Sequence, residues 1–196
     1  MKKSKYLAFI AGLIAGAVSL SATTVIPPTF DQLVDQAEVI FQGTVTKVSS
    51  EWVGEGAERH IVSYITFKVK DALKGSPGES YTMRTFGGTV DGESMMIGDG
   101  PKFNVGDEEF LFVENNGTQI VPLVGIMHGQ FRVRKDDSGR EMVTTNEDQP
   151  LRDVAHLGQP ATTNATAAAA VMSPAQFKAA IQTKLQGSQA QSQSRN

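Results

Sequence analysis

The chain has no cysteine, a single tryptophan and three histidines among 196 residues. Without a thiol there is neither a disulfide to staple the fold nor a lipid-attachment cysteine, so packing alone must hold the chain together. His60, His128 and His156 lie far apart, and neither H-E-x-x-H nor G-x-S-x-G occurs. No catalytic nucleophile and no metal set is therefore nominated, although triads are assembled in space and a hydrolase with an unrecognised site stays open. Basic side chains are also in the minority, 18 against 21 acidic ones. That balance disfavours nucleic acid, whose binding depends on lysine and arginine neutralising phosphates.

No apolar run reaches the ~20 residues that a bilayer-spanning helix requires. The nearest is the glycine-punctuated stretch from Leu7 to Leu20, preceded by Lys2, Lys3 and Lys5 and followed by small residues. This is the order of a secretory signal peptide, expected over residues 1–22 with cleavage between Leu20 and Thr24. The product would be periplasmic or secreted, with no integral membrane segment after processing. Its 15 basic and 21 acidic side chains leave a charge near −6. About 174 residues would remain, one domain's worth.

Two consecutive prolines, Pro27 and Pro28, impose an extended start. Thr29 with Gln32 then forms a capping box, and Phe30, Leu33, Val34 and Ala37 make the apolar stripe of a short helix. From Val39 the period becomes two, predicting a long first strand, a polar loop at "EWVGEGAERH" and a second strand over "HIVSYITFKVKDALKG". "SYTMRTF" supplies a third strand. "EEFLFVENNGTQIVPL" reads as a fourth and a fifth joined at Asn116-Gly117, a pair that tolerates the positive φ of primed turns. Pro122 makes that fifth strand an edge or a bulge. "GQFRVRKDDSGREMVTT" is a further hairpin. Together these predict a mainly β domain over 23–148, a linker over 149–172, a C-terminal helix over 173–187 and a disordered tail over 188–196. Ser173, Pro174 and Gln176 open that helix, whose stripe of Phe177, Ala180, Ile181 and Leu185 needs something to pack against.

The stretch "VDGESMMIGDGPKFNVGDEEF" carries six carboxylates, Asp91, Glu93, Asp99, Asp107, Glu108 and Glu109. Their spacing lacks the alternate-residue ligands and distal glutamate of an EF-hand, so a structured loop with Asp99 and Asp107 as turn residues is expected. Met95, Met96 and Ile97 in the same loop are candidate binding residues, either a protein-contact lip or a plug for one end of the core. Trp52 is a second candidate, as a lid or a contact residue. Met95, Met96, Met127 and His128 are soft ligand types that a copper ion could use, but they fall in two distant clusters. Arg132, Arg134 and Lys135 read as a solvated strand face.

The order "QAEVIFQGTVTKVSS", "YITFKVKDALKGS" and "KFNVGDEEFLFVEN" resembles the netrin-like, or tissue-inhibitor-of-metalloproteinase-like, OB-fold pattern. It also resembles exported bacterial proteins carrying P-x-F-x-x-G-(D/E)-x-x-L-F and G-x-F-x-V. Pro101 to Phe112 match the first, with a variation at Glu109-Phe110, and Gly129 to Val133 match the second. The resemblance covers Gln36 to Val133 and implies an OB-like Greek-key barrel with extra hairpins and a short helix at each end. It implies a non-enzymatic protein-binding module without a cofactor, whose partner would be a protein such as a secreted metalloprotease. The inhibitors' zinc-binding cysteine has no counterpart here. An envelope hydrolase or a copper-binding protein are the alternatives.

Overall fold

The computed structural model describes residues 27–98, 100–159 and 170–193, so the expected signal peptide and its cleavage site lie outside the described residues. Thr29 caps the first helix as its sequence predicts. Its Oγ1 accepts from the Gln32 amide at 3.3 Å, and Gln32 Oε1 accepts from the Thr29 amide at 2.8 Å. Helix α1, Phe30–Gln36, buries Phe30, Leu33 and Val34.

Strand β1 spans Val39–Val53 and β2 spans His60–Lys74. β1 runs past its expected end at Ser50, because the pairing continues through Trp52↔Ile61 and confines the turn to the residues after Val53, whereas β2 forms over nearly the range its alternation predicts. Three register shifts interrupt this hairpin, between Ile40 and Phe41, Gln42 and Gly43, and Val45 and Lys47. Bulges of this kind increase local twist and bend a long ribbon. Strand β3, Ser80–Phe86, comes next, then the small hairpin of β4, Gly88–Val90, and β5, Glu93–Met95. Strands β6, Glu108–Val113, β7, Gln130–Lys135, and β8, Glu141–Thr145, complete one antiparallel six-stranded sheet in the order β3-β2-β1-β6-β7-β8. Among the described residues no ladder joins β3 to β8, so the sheet is open.

The expected fifth strand around Asn116-Gly117 does not form. Residues 114–129 run as successive turns with one isolated bridge, Val113↔Leu123. Pro122 has no N–H to give, and Asn115 and Ile126 sit at positive φ, 51° and 65°. The segment instead serves the β3 edge: Asn116 Oδ1 accepts from the Arg84 amide at 3.0 Å, and the Ile120 carbonyl accepts from the Phe86 amide at 2.8 Å. An otherwise bare strand edge is thereby covered.

Alternation sorts the sheet into two packed faces. On one, Ile40, Phe110, Phe112, Phe131 and Val143 meet α1 and helix α2, Pro174–Gln193. On the other, Phe41, Val45, Ile65, Phe67, Met83 and Leu111 pack under Val121, Leu123 and Phe103. Helix α2 docks on the chain's own sheet through Phe177 and Ile181, both fully buried. It continues past Gly187, where the sequence suggested its end, to Gln193, and Ser188 Oγ donates to Asp35 Oδ1 at 3.3 Å. Residues 149–151 are likewise tied down: the Leu151 amide donates to the Val143 carbonyl at 2.9 Å, and Leu151 is buried.

Candidate functional site

The β4–β5 hairpin folds back over the β1–β2 ribbon because Gly87 and Gly88 carry the chain there at φ 91° and 138°. The Gly87 amide donates to the Ile61 carbonyl at 2.8 Å, and Met95 Sδ accepts from the Ile61 amide at 3.3 Å. Met95 is thus a half-buried anchor. The chain leaves it outward, so that Met96 is 78% exposed and Ile97 stands at the edge of the surface. These two side chains border a cleft of about 460 Å³ whose walls include Val48, Ile65, Phe86 and Phe103. Ser63, Thr85 and Thr89 supply its few hydroxyls. A mostly apolar concavity with sparse polar groups is the usual form of a recognition site.

Trp52 does not join this cleft. It lies at the far end of the β1–β2 hairpin, half exposed, with the Arg59 guanidinium 4.1 Å above its ring. It belongs to neither buried apolar cluster. His60, next along the hairpin, stacks on the cleft residue Phe86 at 5.6 Å. Met127 faces a second, charged cleft of about 530 Å³, away from Met95 and Met96. Among the described residues no three of His, Asp and Glu converge as metal ligands would.

The charged cleft corrects the reading of the basic strand. Arg132 is buried, with its guanidinium Nη1 donating to the Asn146 carbonyl at 2.6 Å and lying 3.3 Å from Asp148 Oδ1. Arg134 Nη1 donates to Asp107 Oδ1 at 3.1 Å. Asp107 is therefore more than a turn residue. Burial works against its ionisation, but bonds from Asn104 and Arg134 outweigh it and hold its pKa below the ordinary value. Glu108 points to the opposite face, where Lys70 Nζ donates to it at 2.8 Å.

Glu109 is the side chain that sequence reasoning missed. It is fully buried, directly opposite Arg132 across the β6–β7 ladder and opposite Gly43 on β1. Gln130 Nε2 donates to its Oε1 at 3.0 Å, while Oε2 has no hydrogen-bond partner. Burial raises its pKa to about 7, against the opposing hydrogen bond from Gln130 and charge of Arg132. The available signal was its position: Glu109 and Leu111 alternate onto the same inner face of a strand that is otherwise apolar from Phe110 to Val113.

Among the described residues no helix is long and apolar enough to cross a membrane. No protein-family model and no curated protein matches the chain.

Proposed function

We propose that this is an exported, non-enzymatic protein-binding module that receives an apolar side chain of its partner in the cleft beneath Met96 and Ile97. One observation carries the reading: a large, flexible thioether stands exposed at the mouth of a preformed apolar concavity, where burial on binding is favourable. The rim is set by backbone bonds from the β4–β5 hairpin, so little ordering is needed when a partner arrives. An OB-like architecture is supported by the bulged β1–β2 ribbon and by the segment after β6 reaching back to the β3 edge. The netrin-like resemblance makes an exported protease the first partner to try.

The test is capture from an envelope extract followed by titration of the identified partner against purified wild type, Met96→Ser and Ile97→Ser. Burying a side chain of this size contributes about 1.5–3 kcal/mol, so each variant should bind roughly 10- to 100-fold more weakly. Equal affinity for all three would remove the cleft from the interface.

A further inference from the structure

The segment 100–104 is a partition. Gly100, Pro101, Lys102 and Asn104 line both the apolar and the charged cleft. Contacts on both sides hold it in place, and Asn104 Nδ2 donates to Asp107 Oδ2 at 3.0 Å at its end. On the apolar side Phe103 packs edge-on against Phe67, with ring centroids 5.8 Å apart. On the polar side the Lys102 carbonyl accepts from Gln130 Nε2 at 3.0 Å and from Arg132 Nη2 at 3.5 Å. The same two side chains serve Glu109: Gln130 Nε2 also donates to Glu109 Oε1 at 3.0 Å, and Arg132 Nε lies 4.0 Å from it. The strap's carbonyl and the buried carboxyl thus share their donors, and Glu109 Oε2 is buried with no partner.

We propose that Glu109, Gln130 and Arg132 form a proton-dependent latch on this strap, closed while Glu109 is neutral and released when it ionises, so that rising pH opens the wall between the two clefts. Glu109, Gln130 and Arg132 lie in or at the ends of ladders and cannot move without unpairing strands, whereas residues 100–104 belong to no strand. In the latch, water reaches the ionised carboxyl when the strap, which lines the charged cleft beside Arg132, is displaced. Linkage sets the sign. Burial holds the Glu109 pKa at about 7, above its ordinary value, so the closed form binds the proton more tightly than a hydrated form would. Opening therefore becomes easier as pH rises through that value.

The other charges facing Glu109 are Arg132 and Arg134 on β7, which favour its ionisation, and Asp107 just before β6, which opposes it. Asp148, from the segment after β8, engages both arginines at 3.3 and 3.4 Å. β1 presents only Gly43 opposite Glu109. The latch rests on the protein-binding reading only for its consequence, which is partner access to the apolar cleft.

The experiment is a partner-free titration of the full chain by nuclear magnetic resonance from about pH 3 to about pH 9, spanning both the ordinary and the raised carboxyl range. It follows the Glu109 carboxyl carbon and the amides of Lys102, Phe103 and Asn104. All should change with one midpoint near 7, and the amides should broaden above it as the strap exchanges with its open form. In Glu109→Gln the amides should keep their acid-side positions at every pH. In His128→Gln the midpoint should be unchanged. Amides that do not respond, shifts without exchange broadening, a Glu109 midpoint in the ordinary carboxylate range, or a midpoint abolished with His128 would each overturn the latch. Should Glu109→Gln fail to fold, the wild-type and His128→Gln titrations decide alone. No partner is present, so loss of the protein-binding reading would leave this result standing.

Discussion

Phe177 on α2 packs its ring 4.8 Å from that of Phe131 on β7, and the same ring also lies 5.1 Å from Phe110. Phe30 of α1 closes the cluster at 6.2 Å. The C-terminal helix is therefore part of the core rather than an appendage. Truncating so large a buried ring to Phe177→Ala should cost about 3–5 kcal/mol, from lost burial and the cavity left behind. Urea denaturation measures it. A loss below about 0.5 kcal/mol, the size of an ordinary surface substitution, would mean that α2 is not part of the cooperative unit.

The stability of the whole chain should also depend on pH through Glu109. Its folded pKa is raised to about 7 from an ordinary 4.5, so the native state holds a proton that the unfolded chain has released. Its stabilising share is complete below the lower value and is lost as pH climbs to the upper one, on the order of 3 kcal/mol in all. Denaturation midpoints in Glu109→Gln should stay level across that window while those of wild type decline. Parallel declines in both proteins would assign the effect to other groups.

Much of this architecture can be read from residue order, and the exceptions have a common cause. Thr29 and Gln32 announce α1, Ser173 and Gln176 announce α2, and the alternation from Val39 announces β1, because each signal is local and its partner lies within a turn or a ladder step. The Asn116-Gly117 turn exists too, with Gly117 at φ 95°. The path of the chain beyond that turn is decided by the distant β3 edge, which takes the Asn116 side chain and the Ile120 carbonyl as partners. Met96 and Ile97 could be nominated from composition, but the cleft they border also needs Val48 and Phe86 from strands far apart in the chain. Arg132 misleads in the same way. An arginine alternating with hydrophobic residues reads as solvated until a buried carboxylate on the neighbouring strand is placed opposite it.

Removal of that arginine offers a separate check on the buried pair. Arg132→Ala leaves Glu109 without its nearest cation and removes a donor to both Lys102 and Asn146. Stripping one partner from a buried pair costs about 3–5 kcal/mol when the survivor is charged. At about pH 5 Glu109 is already neutral, so the penalty should be smaller than at about pH 8. A loss of equal size at both values would show that Arg132 stabilises the fold through its carbonyl contacts and Asp148 rather than through Glu109.

The hairpin that carries the Met95 anchor depends on Gly88. An added Cβ there would lie 2.3 Å from Ser63 Oγ and 2.4 Å from Ser50 Oγ, at a φ of 138° that side chains avoid. Those two hydroxyls are already committed: they bond to each other at 2.8 Å, and Ser63 Oγ donates to the Gly87 carbonyl at 2.6 Å. Gly88→Ala must therefore bear both backbone strain and overpacking, together about 3 kcal/mol or more. Gly117→Ala is the control. It has a comparable positive φ of 95° but meets nothing within 4 Å, so only the conformational cost of about 1 kcal/mol applies. Thermal melts of the two variants should differ accordingly, and Gly88→Ala should also loosen the Met95 anchor, seen as faster amide exchange at Ile61. Matching melts would show that the serine pair yields without cost and that the lip is not held by this close approach.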